Sequence, residues 1–318
     1  MRLVEQPVLG LCLPAESRAE AEERDAQSLN GTGEAFHSGR LGVAKDEDEA
    51  VRWYRKGTEP RLTCAQYNLG VCYENGLGVV KDEAEAVKWY RQAAEGNSAR
   101  AQFSLGYCYA NGRGVAKDEG EAVEWYRKAA EQNHARAQYN LGYCYAKGEG
   151  VAKDEEEAAT WYRKAAGQHL ACAQYDLGLC YEKGQGVVRD EVEAVKWYRE
   201  AAEQNSAKAQ FSLGYCYANG LGVAKNEGEA VKWYRKAAEQ NSSRAQYNLG
   251  YCYYVGQGVA KDQVEGYKWW LLAAARGDPY AKSGITKAED LMTRDQIAEG
   301  KRLARNFKPP GVPSARGR

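Results

Sequence analysis

Apolar and polar positions recur along this chain with a fixed period. Trp53, Trp89, Trp125, Trp161, Trp197, Trp233 and Trp269 are each 36 residues apart, and Cys72, Cys108, Cys144, Cys180, Cys216 and Cys252 keep the same spacing. Within one period there are two runs of helical spacing. Ala65, Leu69, Cys72 and Tyr73 stand at i, i+4, i+7 and i+8, which predicts a first helix over Thr63 to Asn75. Ala86, Tyr90, Ala93 and Ala94 make the apolar face of a second helix that starts at Asp82. Gly76 stands where a helix end needs positive φ, and Gly78 helps the connecting loop to turn. Gly70 and the alanine pair leave room for the helix axes to approach closely.

Polar positions mark the helix starts. Asp82 and Glu85 form a D-x-x-E pair like a capping box, and the pair returns as Asp46/Glu49, Asp118/Glu121, Asp154/Glu157, Asp190/Glu193, Asn226/Glu229 and Asp262/Glu265. A carboxylate there accepts orphan N–H groups and suits the positive end of the helix dipole. Seven occurrences make capping a far better reading than paired catalytic acids. A period of 20–50 residues is the signature of a solenoid, so the predicted fold is all-α, a stack of about seven helix–turn–helix units.

The ends depart from the pattern. All seven prolines lie outside residues 61–278, as an uninterrupted helical array requires. We read 1–26 as a poorly ordered or polar-helical lead-in and 27–280 as the repeat array. Residues 281–308 read as a helical C-terminal cap and 309–318 as a disordered tail. The first repeat is degenerate: it carries one extra residue between Gly39 and Gly42, and Phe36 stands in the place of Tyr73. Asp278-Pro279 starts one cap helix, and Thr293-x-x-Gln296 starts another that runs through Ala304 and Phe307 to Pro309-Pro310. A longer period of 108 residues is also visible, since 100–135 match 208–243 more closely than their neighbours. Duplication of a three-repeat block accounts for it.

Composition narrows the function. With 44 Lys+Arg against 44 Asp+Glu the net charge is zero, which disfavours nucleic-acid binding. No stretch of 18 apolar residues predicts a membrane span. The apolar run Val8 to Leu13 is short for a secretory signal, so the expected location is cytoplasmic, with a degraded export signal and a periplasmic or exported protein as the alternative. A core with two isoleucines and 23 tyrosines must interleave small residues with large rings.

The unit A-x-x-x-L-G-x-x-Y-x-x-G-x-G-V-x-x-D-x-x-x-A-x-x-W-Y-x-x-A-A, filled at nearly every position over about 27–280, resembles the Sel1-like repeat, a relative of the tetratricopeptide repeat. The resemblance implies a right-handed α-solenoid that serves as a non-enzymatic adaptor or scaffold for a protein or peptide, monomeric by default. It names no partner. A secreted, cysteine-rich branch of that family has two cysteines per repeat joining its helices and has been linked to β-lactam binding or hydrolysis. The second cysteine is missing here, and so is any S-x-x-K, so neither the disulfides nor the enzymatic role carries over. A passive spacer is a further reading.

Other chemistry is sparse. The cysteine ladder reads as small buried packing residues, whose free thiols suit a reducing compartment. His37, His134 and His169 share no repeat position and no ligand spacing, and no cofactor or metal is expected. The Trp row is expected to pack on the next repeat, and Arg91 and Arg127 to lie on a solvated convex face. By analogy with the tetratricopeptide groove, the first-helix face opposite Leu69 is the candidate binding surface. One row holds Tyr67, Phe103, Tyr139, Tyr175, Phe211 and Tyr247. A second row holds Tyr107, Tyr143, Tyr215 and Tyr251, with Val71 and Leu179 in the remaining repeats. Arg100, Arg136, Lys208 and Arg244 stand at the helix starts. Tyrosine and arginine are enriched where proteins bind proteins. The first row has an equally open reading as packing between repeats.

Overall fold

The structure, a computed structural model, describes residues 28–40, 44–59 and 62–308. The lead-in, the tail, the Pro309-Pro310 stop and the Gly42 end of the inserted residue lie outside these. The described residues form helices and no strand: α1 (28–38), α2 (Glu47–Thr58), α3 (Thr63–Asn75), α4 (Glu83–Glu95), α5 (Ala99–Asn111), α6 (Glu119–Glu131), α7 (Ala135–Lys147), α8 (Glu155–Gly167), α9 (Ala171–Lys183), α10 (Glu191–Glu203), α11 (Ala207–Asn219), α12 (Glu227–Glu239), α13 (Ser243–Val255), α14 (Gln263–Ala275), α15 (Ala281–Leu291) and α16 (Arg294–Asn306). The fold is an all-α solenoid. It divides into two compact units, the first reaching Cys144 with 148–152, the second comprising 145–147 and 153 onward.

In the first unit α3 packs on α4, α4 on α5, and α5 on α6. One core cluster joins Ala86, Val87, Tyr90, Ala93 and Ala94 to Ala101, Leu105 and Cys108. The second unit repeats it with Ala194, Val195, Tyr198, Ala201, Ala202, Ala209, Leu213 and Cys216. Its C-terminal end is closed by α15 and α16 on α14, where Tyr267, Trp270, Ala288 and Met292 cluster and Phe307 meets Trp269 edge-on at 5.1 Å.

Gly70 makes room for a ring as well as for the neighbouring helix, whose Ala86 carbonyl oxygen would lie 3.3 Å from a Cβ there. A Cβ there would lie 2.7 Å from the Tyr90 ring, and Gly106, Gly178 and Gly214 stand the same way over Tyr126, Tyr198 and Tyr234. The two loop glycines have separate tasks. Gly76 is the αL cap of α3, with φ +71°. Gly78 also has positive φ, and a Cβ on it would sit 2.2 Å from the Glu47 carbonyl oxygen of the preceding repeat. It is a contact between repeats as well as a turn.

The cap pair is half of a box. Asp82 accepts from Glu85 N, but its own N–H donates to Tyr73 O of the first helix at 2.9 Å. Glu85 has no orphan to satisfy there and pairs with Lys88 instead. The bond recurs as Asp118 N to Tyr109 O and Asp190 N to Tyr181 O. In the degenerate first repeat it runs from Asp46 to Phe36, one residue further apart, as the inserted residue requires. A complete capping box forms at Thr293 and Gln296 of α16. The first cap helix begins later than expected: Asp278 Oδ1 accepts from Tyr280 N and Ala281 N, and regular helix starts at Ala281.

One other expectation is corrected and one is extended. Trp89 packs against Ala50, Val51, Tyr54, Leu69 and Cys72, so it faces the preceding repeat rather than the next one. Arg91 donates to the Tyr109 hydroxyl of the following first helix, and Arg55, Arg199 and Arg235 do the same to Tyr73, Tyr217 and Tyr253. Arg91 and Arg55 are exposed, as on a solvated face, and all four arginines also clamp successive repeats.

The six ladder cysteines are buried free thiols. Burial pushes them up, to about 11 for Cys72 and about 12 for Cys108 and Cys216, so they are protonated at neutral pH. Cys172 is exposed. A thiol reagent at neutral pH is expected to modify Cys172 quickly and the ladder thiols only after denaturant is added. A Cys172→Ser variant identifies the fast phase, and rapid reaction of the ladder in folded protein would contradict this packing.

Candidate functional site

The two aromatic rows have different surroundings. Rings of the first row are half-buried and lie tilted on the buried ring of the second helix: Tyr67 on Tyr90 at 5.7 Å, Phe103 on Tyr126 at 6.0 Å, Tyr175 on Tyr198 at 5.7 Å, Phe211 on Tyr234 at 5.9 Å. Tyr247 stacks on Trp270 and also meets Tyr280. Tyr67 and Val71 touch the core cluster of α4 and α5, so this face is not opposite the core. Its rings are part wall and part surface, and Tyr139 is likewise half-buried. The second row is more open: Tyr143, Tyr215 and Tyr251 are 40, 46 and 47% exposed. Tyr107 is partly covered, with the Arg113 guanidinium 5.2 Å above its ring. Arg100, Arg136, Lys208 and Arg244 are all exposed.

In the second unit these elements converge. A groove of about 930 Å³ is lined by Tyr175, Leu179, Phe211 and Tyr215, with Lys183, Lys208 and Arg244 around it and Asp176, Glu182, Ser212, Ser242 and Ser243 between. The Glu182 carboxylate accepts from the buried Tyr198 hydroxyl, which fixes it in the wall. Beyond Tyr215, a smaller recess reaches Tyr251 and Asn248. A groove of this make-up offers apolar ring faces, three cations and several hydroxyl donors and acceptors. It can take up side chains of an extended or helical segment.

The first unit gathers Tyr67, Phe103, Arg100 and Arg136 with Ser104 and His134 around a recess of about 310 Å³. His134 was not singled out for this. It stacks on Phe103 at 4.8 Å and caps α7 through Nδ1, which accepts from Ala137 N at 3.2 Å. Burial, reinforced by Arg136 and Arg100, holds its imidazole below the ordinary value. The unfolded imidazole takes a proton more readily, near about pH 6.5. Stability from neutral His134 is therefore present above that value and is lost as the pH falls through the lower folded one. Melting temperature is expected to fall more between about pH 7 and about pH 5 in the natural protein than in His134→Ser, because serine caps the equivalent positions Ser98 and Ser206 without titrating. Equal pH dependence in the two proteins would contradict this.

Asp176, Lys183 and Ser212 escaped the sequence reading. The signal for them was their variation between near-identical repeats: Asp176 corresponds to Asn68, Ser104 and Asn140, and Lys183 to Asn75 and Asn111. The buried glutamine of each first helix was also missed, because a polar residue in an apolar pattern reads as surface. Gln102, Gln174 and Gln210 are buried, and each accepts through Oε1 from a glutamine at the end of the same repeat's second helix, Gln132, Gln204 and Gln240, at 2.6–2.7 Å. Among the described residues no helix is long and apolar enough to cross a membrane, and no group of three His, Cys, Asp or Glu is placed to hold a metal ion.

Comparison with known proteins agrees with this architecture. A Sel1 repeat protein from Oxalobacter formigenes is similar at 36% identity over 77% of this chain and 96% of its own, with a TM-score of 0.68. The structure of c5321, a protective antigen of uropathogenic Escherichia coli with an SLR fold, is similar at 29% identity over 90% of this chain and 85% of its own, with a TM-score of 0.51. No curated protein matches the chain. The family model described as Sel1 repeat matches seven times, at residues 26–59, 65–98, 99–134, 135–169, 173–206, 207–242 and 243–278, and by these matches the chain belongs to the Sel1 repeat family.

Proposed function

We propose that this protein is a non-enzymatic adaptor whose second unit holds a peptide segment of a partner protein in the groove between Tyr175 and Arg244. Proteins of the Sel1 repeat family mediate protein–protein interaction in general. The observation that carries the finer reading is the convergence of Leu179, Phe211 and Tyr215 with Lys183, Lys208 and Arg244 around one groove of about 930 Å³. The rings suit an apolar anchor, and the cations suit acidic side chains flanking it. The recess around Phe103, Arg100 and Arg136 extends the same chemistry to the first unit. Free thiols throughout the core support a reducing compartment, the cytoplasm, as the place of action.

The test is affinity capture with mass spectrometry, comparing the natural chain with Lys208→Ala/Tyr215→Ala shown to be folded by circular dichroism. A partner recovered by the first and lost by the second is expected. Identical recovery by both moves the binding surface elsewhere, and no specific partner for either leaves the passive spacer.

A further inference from the structure

The first helices of the array are near-identical, and two of them, α5 and α11, depart from the rest in the same way. Their first-row ring is Phe103 or Phe211, followed by Ser104 or Ser212. The others have tyrosine there, followed by Asn68, Asn140, Asp176 or Asn248. The cation position at the helix starts reads Cys64, Arg100, Arg136, Cys172, Lys208, Arg244 and Tyr280 along the chain. A ring with a cation at the start of its own helix and another at the next position of the row therefore occurs twice, at Phe103 and at Phe211.

The serines go with an open wall. Asn140 and Asn248 hydrogen-bond the hydroxyls of Tyr126 and Tyr234. Beside Ser104 and Ser212 the corresponding hydroxyls, of Tyr90 and Tyr198, donate instead to Glu74 and Glu182, which stand where Ala110, Ala146 and Ala218 do in other repeats. A recess lies beside each phenylalanine. In the first unit Tyr67, Arg100, Phe103, Ser104, His134 and Arg136 line about 310 Å³. Their counterparts 108 residues on, Tyr175, Lys208, Phe211, Ser212, Ser242 and Arg244, line the groove of about 930 Å³. The rings lie alike, Phe103 at 6.0 Å from Tyr126 and Phe211 at 5.9 Å from Tyr234. Two cations and no carboxylate line the first recess, and three cations outnumber Asp176 and Glu182 in the second. Each offers an apolar ring face between positive charges, the complement of an acidic segment with an apolar residue at its centre.

We propose that the two units carry the same site, so that each chain binds two copies of one acidic segment, with an apolar anchor against Phe103 in one unit and against Phe211 in the other. This rests on the reading of the second-unit groove as a peptide site and adds its equivalent in the first.

The chain has four phenylalanines, so 4-fluorophenylalanine places one ¹⁹F label in each site and two outside them, at Phe36 and Phe307. Phe103→Tyr and Phe211→Tyr assign the two site signals, using the residue that the other repeats carry. The probe is an acetylated, amidated peptide of one leucine with two glutamates on each side, and the control has glutamine for every glutamate. Saturable shifts at Phe103 and Phe211, in the millimolar range or tighter, with Phe36 and Phe307 unmoved, are expected. The control should bind about tenfold or more weakly at both. Arg100→Ala/Arg136→Ala should weaken binding about tenfold or more at Phe103 alone, and Lys208→Ala/Arg244→Ala at Phe211 alone, with unchanged Phe36 and Phe307 signals showing that each variant is folded. A shift at Phe211 alone would overturn the second site and leave the reading of the groove standing. A shift at Phe103 alone would overturn both. No shift at either ring, or equal binding of the glutamine control, would overturn recognition of an acidic segment.

Discussion

Gly222→Ala is expected to destabilise the second unit by about 4 kcal/mol or more, while Gly220→Ala, two residues earlier, costs about 1–2 kcal/mol. Both glycines have positive φ, +72° at Gly220 and +63° at Gly222, so each alanine takes the left-handed penalty. Only the second meets another repeat. A Cβ on Gly220 would have its nearest neighbour at 3.4 Å, the Lys225 Cβ, whereas on Gly222 it would lie 2.0 Å from the Glu191 carbonyl oxygen. That oxygen belongs to the first turn of α10 and has no flexible side chain to withdraw, so the loop must lift off the preceding repeat. The same relation holds for Gly114 over Glu83 and Gly258 over Glu227. Urea unfolding of the two variants measures the difference. Equal losses would mean that the loops carry no packing between repeats and that only the turn needs glycine.

Tyr215→Ala is expected to weaken partner binding about 30-fold or more, with stability changed by no more than about 0.5 kcal/mol. The split follows from the two rows. Tyr215 is 46% exposed and lines the groove, so its truncation removes contact area mainly from the complex. Phe211 lines the same groove but rests on Tyr234, so Phe211→Ala is expected to lower both binding and stability. Lys208→Glu acts differently again. An exposed cation contributes to steering, so charge reversal is expected to slow association and to lose its effect at high salt. Titration calorimetry and thermal melts on the three variants separate these effects. A Tyr215→Ala protein that melts well below the natural one would make the second row structural.

Much of the fold was legible because the period confines it. Helix α3 runs from Thr63 to Asn75 as its apolar spacing predicts, and the αL cap falls on Gly76. The starts of the second helices follow from Asp82 and its counterparts. What spacing does not carry is the identity of the neighbour that each recurring side chain meets. Trp89 and Arg91 both sit on α4, yet one reaches back to the cluster of α2 and α3 and the other forward to Tyr109. The half-formed capping box has the same cause, since the Tyr73 carbonyl that takes the Asp82 N–H is brought there by the turn. The glutamines were illegible for a further reason: a polar residue buried by the packing of another helix over it looks, in a local window, like surface. For the candidate site, the sequence supplied the aromatic rows and cations. It did not show that the first row leans on the second helix, nor that Asp176, Lys183 and Glu182 complete the groove.

The central claim is that the groove of the second unit receives the partner. Its most direct test is photo-crosslinking from a benzophenone amino acid placed at Tyr215, compared with the same group at Lys232, an exposed residue of α12 paired with Glu229 outside the groove lining. A partner adduct is expected from position 215, competed by excess unlabelled protein, and none from 232. Adducts from 232 with none from 215 would contradict it and assign the interaction to the second-helix surface.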